Sequence, residues 1–197
     1  MKEFIRTPIP SYLSDYEDLG KNYAIKKGIQ KKGNSGNFDW HGLYEPLLID
    51  LSILTQNHCS YCDFSGVRRG QSSPTIDHFR PKSKFPLFAY SWDNLFLCCT
   101  ECQKRISKFN DLLLKPDTID YSFDEYFIIN TITGDIEPNI LKSKEYQKRA
   151  KETIKIFKLN DFYRPKYRLE VWNSYKNYQN PVLDDFSYRF FIERIDN

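Results

Sequence analysis

Two Cys-x-x-Cys pairs are the residues of this chain whose types and spacing most directly allow chemistry. Cys59 and Cys62 form the first pair, and Cys99 and Cys102 form the second. Two residues between cysteines allow a tight backbone turn that points both sulfurs at one tetrahedral ion, and four thiolates are a ligand set of structural zinc. We therefore predict that these cysteines hold one zinc ion. Buried reduced thiols or a redox pair are the alternative interpretation.

The segment between the two pairs contains a histidine, His78, directly after a carboxylate, Asp77. If the flanking cysteines bind a metal ion, this histidine is held near that ion. Imidazole exchanges a proton near neutral pH, whereas carboxylate oxygen suits a hard divalent cation. His41 and His58 lie outside this frame, and we interpret both as structural.

The elements that must position these residues follow from the spacing of apolar side chains. An apolar helical face over residues 44–56 leads to the first cysteine pair. Residues 75–79 and 94–98 have the content of two short strands, with Phe79 and Trp92 in the core. The second pair leads into a helix predicted to begin near Gln103. The predicted order is strand, connection, strand, cysteine turn and helix.

The flanking regions are predicted to differ in regularity. Prolines 8 and 10 and the polar, glycine-containing stretch 26–36 indicate irregular structure before residue 44. Residues 126–130 and 132–136 predict a hairpin with Gly134 near its turn. Ser143 is predicted to cap a helix whose apolar stripe continues to Leu159. A second helix is predicted over 164–178, with a buried edge of Leu169, Trp172 and either Tyr175 or Lys176.

The composition indicates a globular chain. Hydrophobic residues make up 40% of the 197 residues, enough for a core beside 28% charged residues. No apolar run approaches the roughly 18 residues of a membrane span and no signal-peptide pattern opens the chain, so we expect a cytoplasmic protein without membrane contact. Five cysteines, four of them in metal-type pairs, fit a reducing compartment and leave Cys98 as a buried thiol. The net charge of +3 permits nucleic-acid binding without requiring it.

The order Cys-x-x-Cys, Asp-His, Trp-x-Asn, Cys-x-x-Cys resembles the HNH endonuclease family over about fifty residues. The resemblance implies an α+β fold, in which a ββα-metal motif with a structural zinc is embedded in a mainly helical surround. It also suggests three regions: an N-terminal loop and helix over 1–57, a nuclease core over 58–116, and a hairpin and helical C-terminal region over 117–197.

The resemblance assigns roles to particular side chains. Phosphodiester hydrolysis needs an activated water, a cation beside the phosphate and stabilisation of the leaving 3′-oxygen. His78 would be the general base, Asp77 would bind a catalytic magnesium or manganese ion, and Asn94 would position the histidine loop through its amide. Gln103 stands where the family has a metal-binding Asn or His, and its longer side chain would coordinate the same cation less directly.

Basic residues near the predicted site are expected to form a rim that contacts phosphates of DNA, or alternatively of RNA. An ordinary solvated surface is the alternative interpretation. The predicted rim consists of Arg80, Lys82, Lys84, Lys104, Arg105 and Lys108, and Arg68 and Arg69 are weaker candidates.

A longer pattern is similar to the HNH proteins encoded beside ABC-type ATPases, including the nuclease subunit of Septu anti-phage defence and of related retron systems. It covers residues 8–13, 76–83, 133–138 and 150–160, together with Arg168. The similarity implies a nuclease effector whose partner is an ABC-type ATPase. The aromatic stretch 186–192 is either a docking segment or part of the chain's own core.

Two other functions are compatible with parts of the sequence. A zinc-stabilised nucleic-acid-binding or interaction module would keep the scaffold and lose catalysis through the glutamine at position 103. A thiol-disulfide enzyme could use the cysteine pairs, but neither pair has a thioredoxin-like βαβ context. Retention of both Asp77 and His78 favours the nuclease, since a scaffold alone does not require them.

Overall fold

The computed structural model describes residues 1–29, 38–66, 74–105, 108–161 and 163–195, which form α-helices and short strands. The helices are α1 (Tyr16–Ile29), α2 (Tyr44–Leu54), α3 (Thr100–Gln103), α4 (Phe123–Tyr126), α5 (Lys144–Phe157), α6 (Arg164–Asn177) and α7 (Arg189–Ile195). The strands are β1 (Thr75–His78), β2 (Leu95–Cys98), β3 (Phe127–Ile129) and β4 (Ile136–Pro138). Single-turn 3₁₀ segments lie at Ser11–Leu13, Pro86–Phe88, Trp92–Asn94 and Leu183–Asp185.

An antiparallel pair of strands followed by a short helix lies at the centre of the fold. In this pair, Asp77 is opposite Phe96 and His78 is opposite Leu95. All of β2 is buried, whereas β1 buries alternate residues, because successive side chains of a strand point to opposite faces. Helix α3 begins at Thr100 directly after Cys99, so the predicted start near Gln103 is wrong and Gln103 is its last residue. The mixed fold with a mainly helical surround is confirmed.

The hydrophobic core continues from the first residues of the chain to the last helix. The ring of Phe96 on β2 lies near the rings of Phe4, Tyr61 and Phe79. Phe79 and Trp92 are buried, as predicted. Residues 190–192 are buried as well, so the C-terminal aromatic stretch belongs to the core and is not a docking segment. The three-region division of the chain stays a prediction, since one core contains residues of all three.

The amino-terminal region is more regular than predicted. Helix α1 includes residues 26–28, which were expected to form a loop, while residues 30–36 of that expected loop lie outside the described ranges. The helix packs against the 3₁₀ turn Pro86–Phe88, where a Cβ on Gly20 would stand 2.3 Å from the Leu87 oxygen. This contact between distant segments stabilises a helix that local composition does not predict.

The second hairpin forms, but its returning strand begins later than predicted. Residues 132–135 make the turn and β4 begins at Ile136. The Asn130 carboxamide accepts hydrogen bonds from the backbone N–H groups of Ile132 and Thr133, and Gly134 N–H donates to the Asn130 carbonyl oxygen. This local side-chain capping closes a turn over residues that have strand-like composition.

The two long C-terminal helices are confirmed. Ser143 caps α5 by accepting from the Tyr146 N–H, as predicted. Helix α6 has the predicted extent, but its buried residues are Arg164, Arg168 and Val171. The predicted edge is only half-buried at Leu169, Trp172 and Tyr175, and Lys176 is exposed above the Trp172 ring. Buried guanidinium groups, which donate to main-chain carbonyls, were not anticipated.

No helix in the described ranges is both long and apolar enough to cross a membrane.

Gly134→Ala is expected to destabilise the fold by roughly 1–3 kcal/mol, because overpacking and left-handed strain add at this position. Gly134 has φ +80°, and a Cβ there would stand 2.1 Å from the Pro165 carbonyl oxygen. Gly28→Ala is the matched control, because a Cβ there meets nothing within 4 Å and its helical position favours alanine. Urea unfolding of both variants measures the difference, and equal stabilities would contradict the close packing of the turn on α6.

Candidate metal centre and active site

The four paired cysteines converge on one buried point. Cys59 and Cys62 lie in the turn after α2, where Asp63 N–H donates to the Cys59 oxygen, while Cys99 precedes α3 and Cys102 lies within it. Their sulfurs all lie within 4.8 Å of one another, and those of Cys62 and Cys99 are 3.7 Å apart. Tetrahedral Zn–S bonds of about 2.3 Å place sulfurs about 3.8 Å apart, so the cluster could hold zinc.

The cluster is closed, which is typical of a structural and not a catalytic zinc site. All four cysteines are buried, and Ser60 N–H donates to the Leu97 oxygen, joining the first turn to β2. Among the described residues, this is the one group of three or more Cys, His, Asp or Glu side chains with converging ligand atoms. The fifth cysteine, Cys98, is buried with its thiol donating to the Cys99 oxygen, and burial raises the pKa of Cys98.

Arg164, at the first position of α6, contacts the cluster from the C-terminal region. Its Nη2 donates to the Cys102 sulfur at 3.5 Å, and its Nη1 donates to the carbonyls of Phe157 and Lys158. Burial acts to lower the pKa of Arg164, but the Cys62 and Cys102 sulfurs raise it, so the guanidinium is charged. Four thiolates and one Zn²⁺ carry a net charge of −2, which this cation partly offsets. No spacing in the sequence indicates this contact.

A second buried arginine, Arg189, fixes the cysteine turn to α7. Its Nη2 donates to Asp63 Oδ1 at 2.7 Å, and its backbone N–H donates to Asp63 Oδ2 at 2.6 Å.

His58, directly before Cys59, is buried with its ring nitrogens 2.6 and 3.0 Å from the Gln56 and Phe186 oxygens. Both nitrogens of His58 therefore face main-chain carbonyls.

His78 ends β1 and is 6% exposed. Its Nε2 lies 2.8 Å from the Ala89 carbonyl oxygen. A carbonyl only accepts, so Nε2 carries the proton and the neutral ring keeps a lone pair on Nδ1. The ring stacks on Trp40 and meets the edge of Phe38. Burial, with the neighbouring Lys82 charge, lowers the pKa of His78 to about 3, so the imidazole is neutral.

Asn94 joins β2 to the loop that follows His78. Its Oδ1 accepts from the Arg80 N–H at 2.7 Å, and its Nδ2 donates to the Arg80 and Phe88 carbonyls at 3.1 and 2.9 Å. The side chain is buried, and Phe79 N–H donates to the Asn94 backbone oxygen. These bonds fix the direction in which the chain leaves β1, next to the imidazole.

Asp77 points to the face of β1 opposite that of His78, where it meets two buried partners. Its Oδ2 accepts from the Tyr61 hydroxyl at 2.8 Å and from Arg105 Nη2 at 2.6 Å. Burial raises the pKa of Asp77, and Arg105 and then Tyr61 oppose the rise. Burial also raises the pKa of Tyr61 well above its ordinary value, so its hydroxyl remains a donor. Among the described residues, the hydrogen bonds of this carboxylate all end on Oδ2.

The remaining predicted residues divide between surface and interior. Arg105 is only 3% exposed, so its predicted place on the basic rim is wrong: the guanidinium is held inside by Asp77. Gln103 is half-buried at the end of α3, and Arg68 and Arg69 lie outside the described ranges. The rim residues that are exposed are Arg80, Lys84, Lys104 and Lys108, and Lys82 is half-buried with its Nζ over the Phe38 ring.

The comparison with protein families agrees with this geometry. Residues 59–109 match the family model described as HNH endonuclease, a stretch that includes both cysteine pairs, β1, β2 and α3. The match covers about a quarter of the chain. A search of curated proteins gives no match. The HNH endonuclease domain supports a nuclease function for this chain.

Cys102→Ser is expected to abolish stoichiometric zinc binding and lower the melting temperature, because an oxygen replaces one of four thiolate ligands. Cys98→Ser is the matched control, since Cys98 is equally buried but donates to a backbone carbonyl. Elemental analysis of purified protein gives the zinc content. Zinc lost from both variants, or from neither, would contradict the four-cysteine assignment.

Arg164→Met is expected to weaken zinc binding by about 10–100-fold, the usual cost of losing a partner of a metal ligand. The measurement is competition with a chromophoric chelator. Lys166→Met, two residues further along the same helix and exposed, should bind zinc as tightly as the wild type. Equal affinities for all three proteins would show that the Arg164 contact with Cys102 does not support the metal site.

Proposed function

We propose that this chain is a metal-dependent endonuclease that hydrolyses phosphodiester bonds in nucleic acid, with DNA as the preferred substrate. One observation carries the proposal. Within the HNH domain, the bond from Nε2 of His78 to the Ala89 oxygen leaves Nδ1 as a proton acceptor at the end of β1. This is the protonation state that a general base requires before it accepts a proton from water.

The low pKa of His78 suits a base that becomes effective only with substrate. A neutral imidazole with a pKa of about 3 is available at all physiological pH values but is a weak proton acceptor in the free enzyme. A bound phosphate would bring negative charge near the ring and raise that pKa. The base would thus accept a proton from water most readily when the scissile phosphate is present.

The surroundings of His78 would keep its nitrogen in place during the reaction. Asn94 holds the main chain at Arg80 from both sides, and the Ala89 carbonyl fixes the plane of the imidazole. Trp40 and Phe38 pack on the ring and limit the access of bulk water. A base fixed by these contacts needs little reorganisation before proton transfer.

The residues present fit a divalent cation that is held by few protein ligands. Magnesium is usually bound by one or two carboxylates, with waters and substrate phosphates completing its coordination. In the part of the chain that the structure describes, no hydrogen bond ends on Oδ1 of Asp77, so this oxygen would serve as the carboxylate ligand. Gln103 would contribute its amide oxygen from the end of α3. Magnesium or manganese, when bound, would neutralise charge on the phosphate and the leaving oxygen.

The exposed basic side chains would bind the flanking phosphates. Arg80 and Lys84, with the half-buried Lys82 between them, follow His78 along the chain, while Lys104 and Lys108 follow the end of α3. Lys104 also pairs with Glu101, so its contribution is expected to be the smallest. Such contacts carry no sequence information and would position either DNA or RNA.

A catalytically impaired nucleic-acid-binding or interaction module is the second candidate. The observation that favours it is the engagement of Asp77 Oδ2 by two protein donors, which leaves less of the carboxylate for a metal. In that case the closed zinc site and the basic rim would remain, and neither magnesium nor manganese would produce cutting.

We also propose that the nuclease is the effector of an ATPase-coupled anti-phage system, with an ABC-type ATPase as its partner. The support is the similarity of residues 8–13, 76–83, 133–138 and 150–160 to the HNH proteins encoded beside ABC-type ATPases. The small net charge of +3 is compatible with a partner that supplies part of the nucleic-acid surface.

His78→Ala is expected to lower the cleavage rate by about 10²–10⁴-fold, the usual contribution of a general base, and to leave the zinc content unchanged. The assay measures cleavage of plasmid DNA and of single-stranded RNA in the presence of magnesium or manganese. It is run with the protein alone and with the ABC-type ATPase added. His41→Ala is the matched control, because His41 is exposed and its Nδ1 lies 3.0 Å from Asp39 Oδ2 in the same loop.

Undiminished cleavage by His78→Ala would sink the mechanism. Absence of cleavage by the wild type with every metal, substrate and partner would instead favour the binding module. A rate that falls equally in both histidine variants would indicate damage to the 38–41 segment and not loss of a base.

A further inference from the structure

The Arg105 side chain lies where a cation would neutralise Asp77. Its Nη2 and Nε donate to Asp77 Oδ2 at 2.6 and 3.3 Å. The same Nη2 donates to the carbonyls of His78 and Phe79 at 2.9 and 3.0 Å, and Nη1 donates to the Lys108 carbonyl at 3.0 Å. One guanidinium therefore holds the carboxylate and the two peptide groups that follow it.

This contact is buried and permanently charged. The side chains of Arg105 and Asp77 are 2% and 13% exposed. The guanidinium carbon lies 5.1–5.9 Å from the ring centroids of Phe157, Tyr61 and Phe79. Arginine keeps its proton at every physiological pH. A divalent cation that approaches Asp77 must therefore bind a carboxylate that already has a positive partner.

We infer that Arg105 is a resident cation that shares Asp77 with the catalytic metal ion, limits how tightly that ion binds, and positions the end of the strand that carries His78. The inference rests on the proposed function, because that proposal places a divalent ion at Asp77. It makes Arg105 a positioning residue, since its buried side chain is not placed to reach substrate.

Removal of Arg105 should change metal affinity and the rate of catalysis in opposite directions. Its positive charge repels an incoming cation and occupies Oδ2, so its removal should tighten metal binding. Its hydrogen bonds hold the strand end in place, so its removal should also slow catalysis. The loss of a merely structural arginine would have the opposite effect on metal affinity, because it would loosen the site and weaken metal binding.

The test measures Mn²⁺ binding by electron paramagnetic resonance on full-length, zinc-loaded protein. The cysteine site will not exchange its ion with manganese, because thiolates select zinc over this harder cation. Arg105→Met is expected to lower the Mn²⁺ dissociation constant by about tenfold or more, since a unit charge beside the ligand is removed. The same variant should cleave more slowly at saturating metal.

Three variants assign the effect to the proposed contact. Combining Arg105→Met with Asp77→Asn should abolish the gain in affinity, because the carboxylate is the ligand. Tyr61→Phe removes the other donor to Oδ2 without changing a charge, so its dissociation constant should stay near that of the wild type. Lys151→Met removes an exposed cation from α5, outside the proposed site, and should also leave Mn²⁺ affinity unchanged.

The main result of a second measurement comes from the wild-type protein and does not depend on the folding of an Arg105 variant. During a Mg²⁺ titration, the Arg105 Nε–H resonance should shift along a saturating curve, and the shift should be absent in Asp77→Asn. An unshifted resonance, or Mn²⁺ binding that is unchanged or weaker in folded Arg105→Met, would overturn the inference.

Metal binding and cutting separate this inference from the proposed function. Tighter Mn²⁺ binding in Arg105→Met, in a protein whose wild type never cuts, would support the inference while the nuclease proposal fails. Metal-dependent cutting that requires His78, with Mn²⁺ affinity unaffected by Arg105→Met, would support the nuclease and overturn the role of Arg105.

Discussion

The convergence of four cysteine sulfurs on one buried point is the constraint on which the rest of the structure depends. The first pair follows α2 and the second flanks the start of α3, so one ion at their centre would tie together both ends of the ββα unit. The two strands between them have only four residues each, too few to be stable as an isolated hairpin. The surrounding aromatic core, together with a metal ion if the cysteines bind one, would stabilise this short hairpin.

Buried arginines extend this constraint to the two C-terminal helices, α6 and α7. Arg164 donates to a cysteine sulfur from α6, and Arg189 pairs from α7 with the aspartate that follows the first cysteine pair. Arg189 has a carboxylate partner, Arg164 has a sulfur that would be a thiolate with zinc bound, and both also donate to main-chain carbonyls, which lowers the cost of burying their charges. The C-terminal helices are therefore part of the scaffold of the HNH domain.

The opposite faces of β1 separate two kinds of chemistry. His78 lies among aromatic rings, where burial keeps the imidazole neutral and a carbonyl fixes its proton on one nitrogen. Asp77 lies on the other face, where its carboxylate forms an ion pair with Arg105 and accepts a hydrogen bond from the Tyr61 hydroxyl. Adjacent residues receive different environments because strand side chains alternate. The same β1 thus carries a neutral imidazole on one face and, on the other, a carboxylate paired with a guanidinium.

The sequence by itself determined which four cysteines converge, both central strands, the helix after Ser143 and the identity of His78 as the histidine between the cysteine pairs, because spacing and periodicity are local properties. It misplaced the turn before Ile136, where an Asn130 cap outweighs composition, and the helix at residues 26–28, where Lys27 donates to the Lys82 and Ser83 carbonyls. Only the tertiary structure decided the place of Arg105, which moved from a predicted phosphate rim to the interior, and the contact of Arg164 with Cys102. The physical reason is that burial and charge pairing depend on residues far apart in the chain: 28 positions separate Arg105 from Asp77 and 62 separate Arg164 from Cys102.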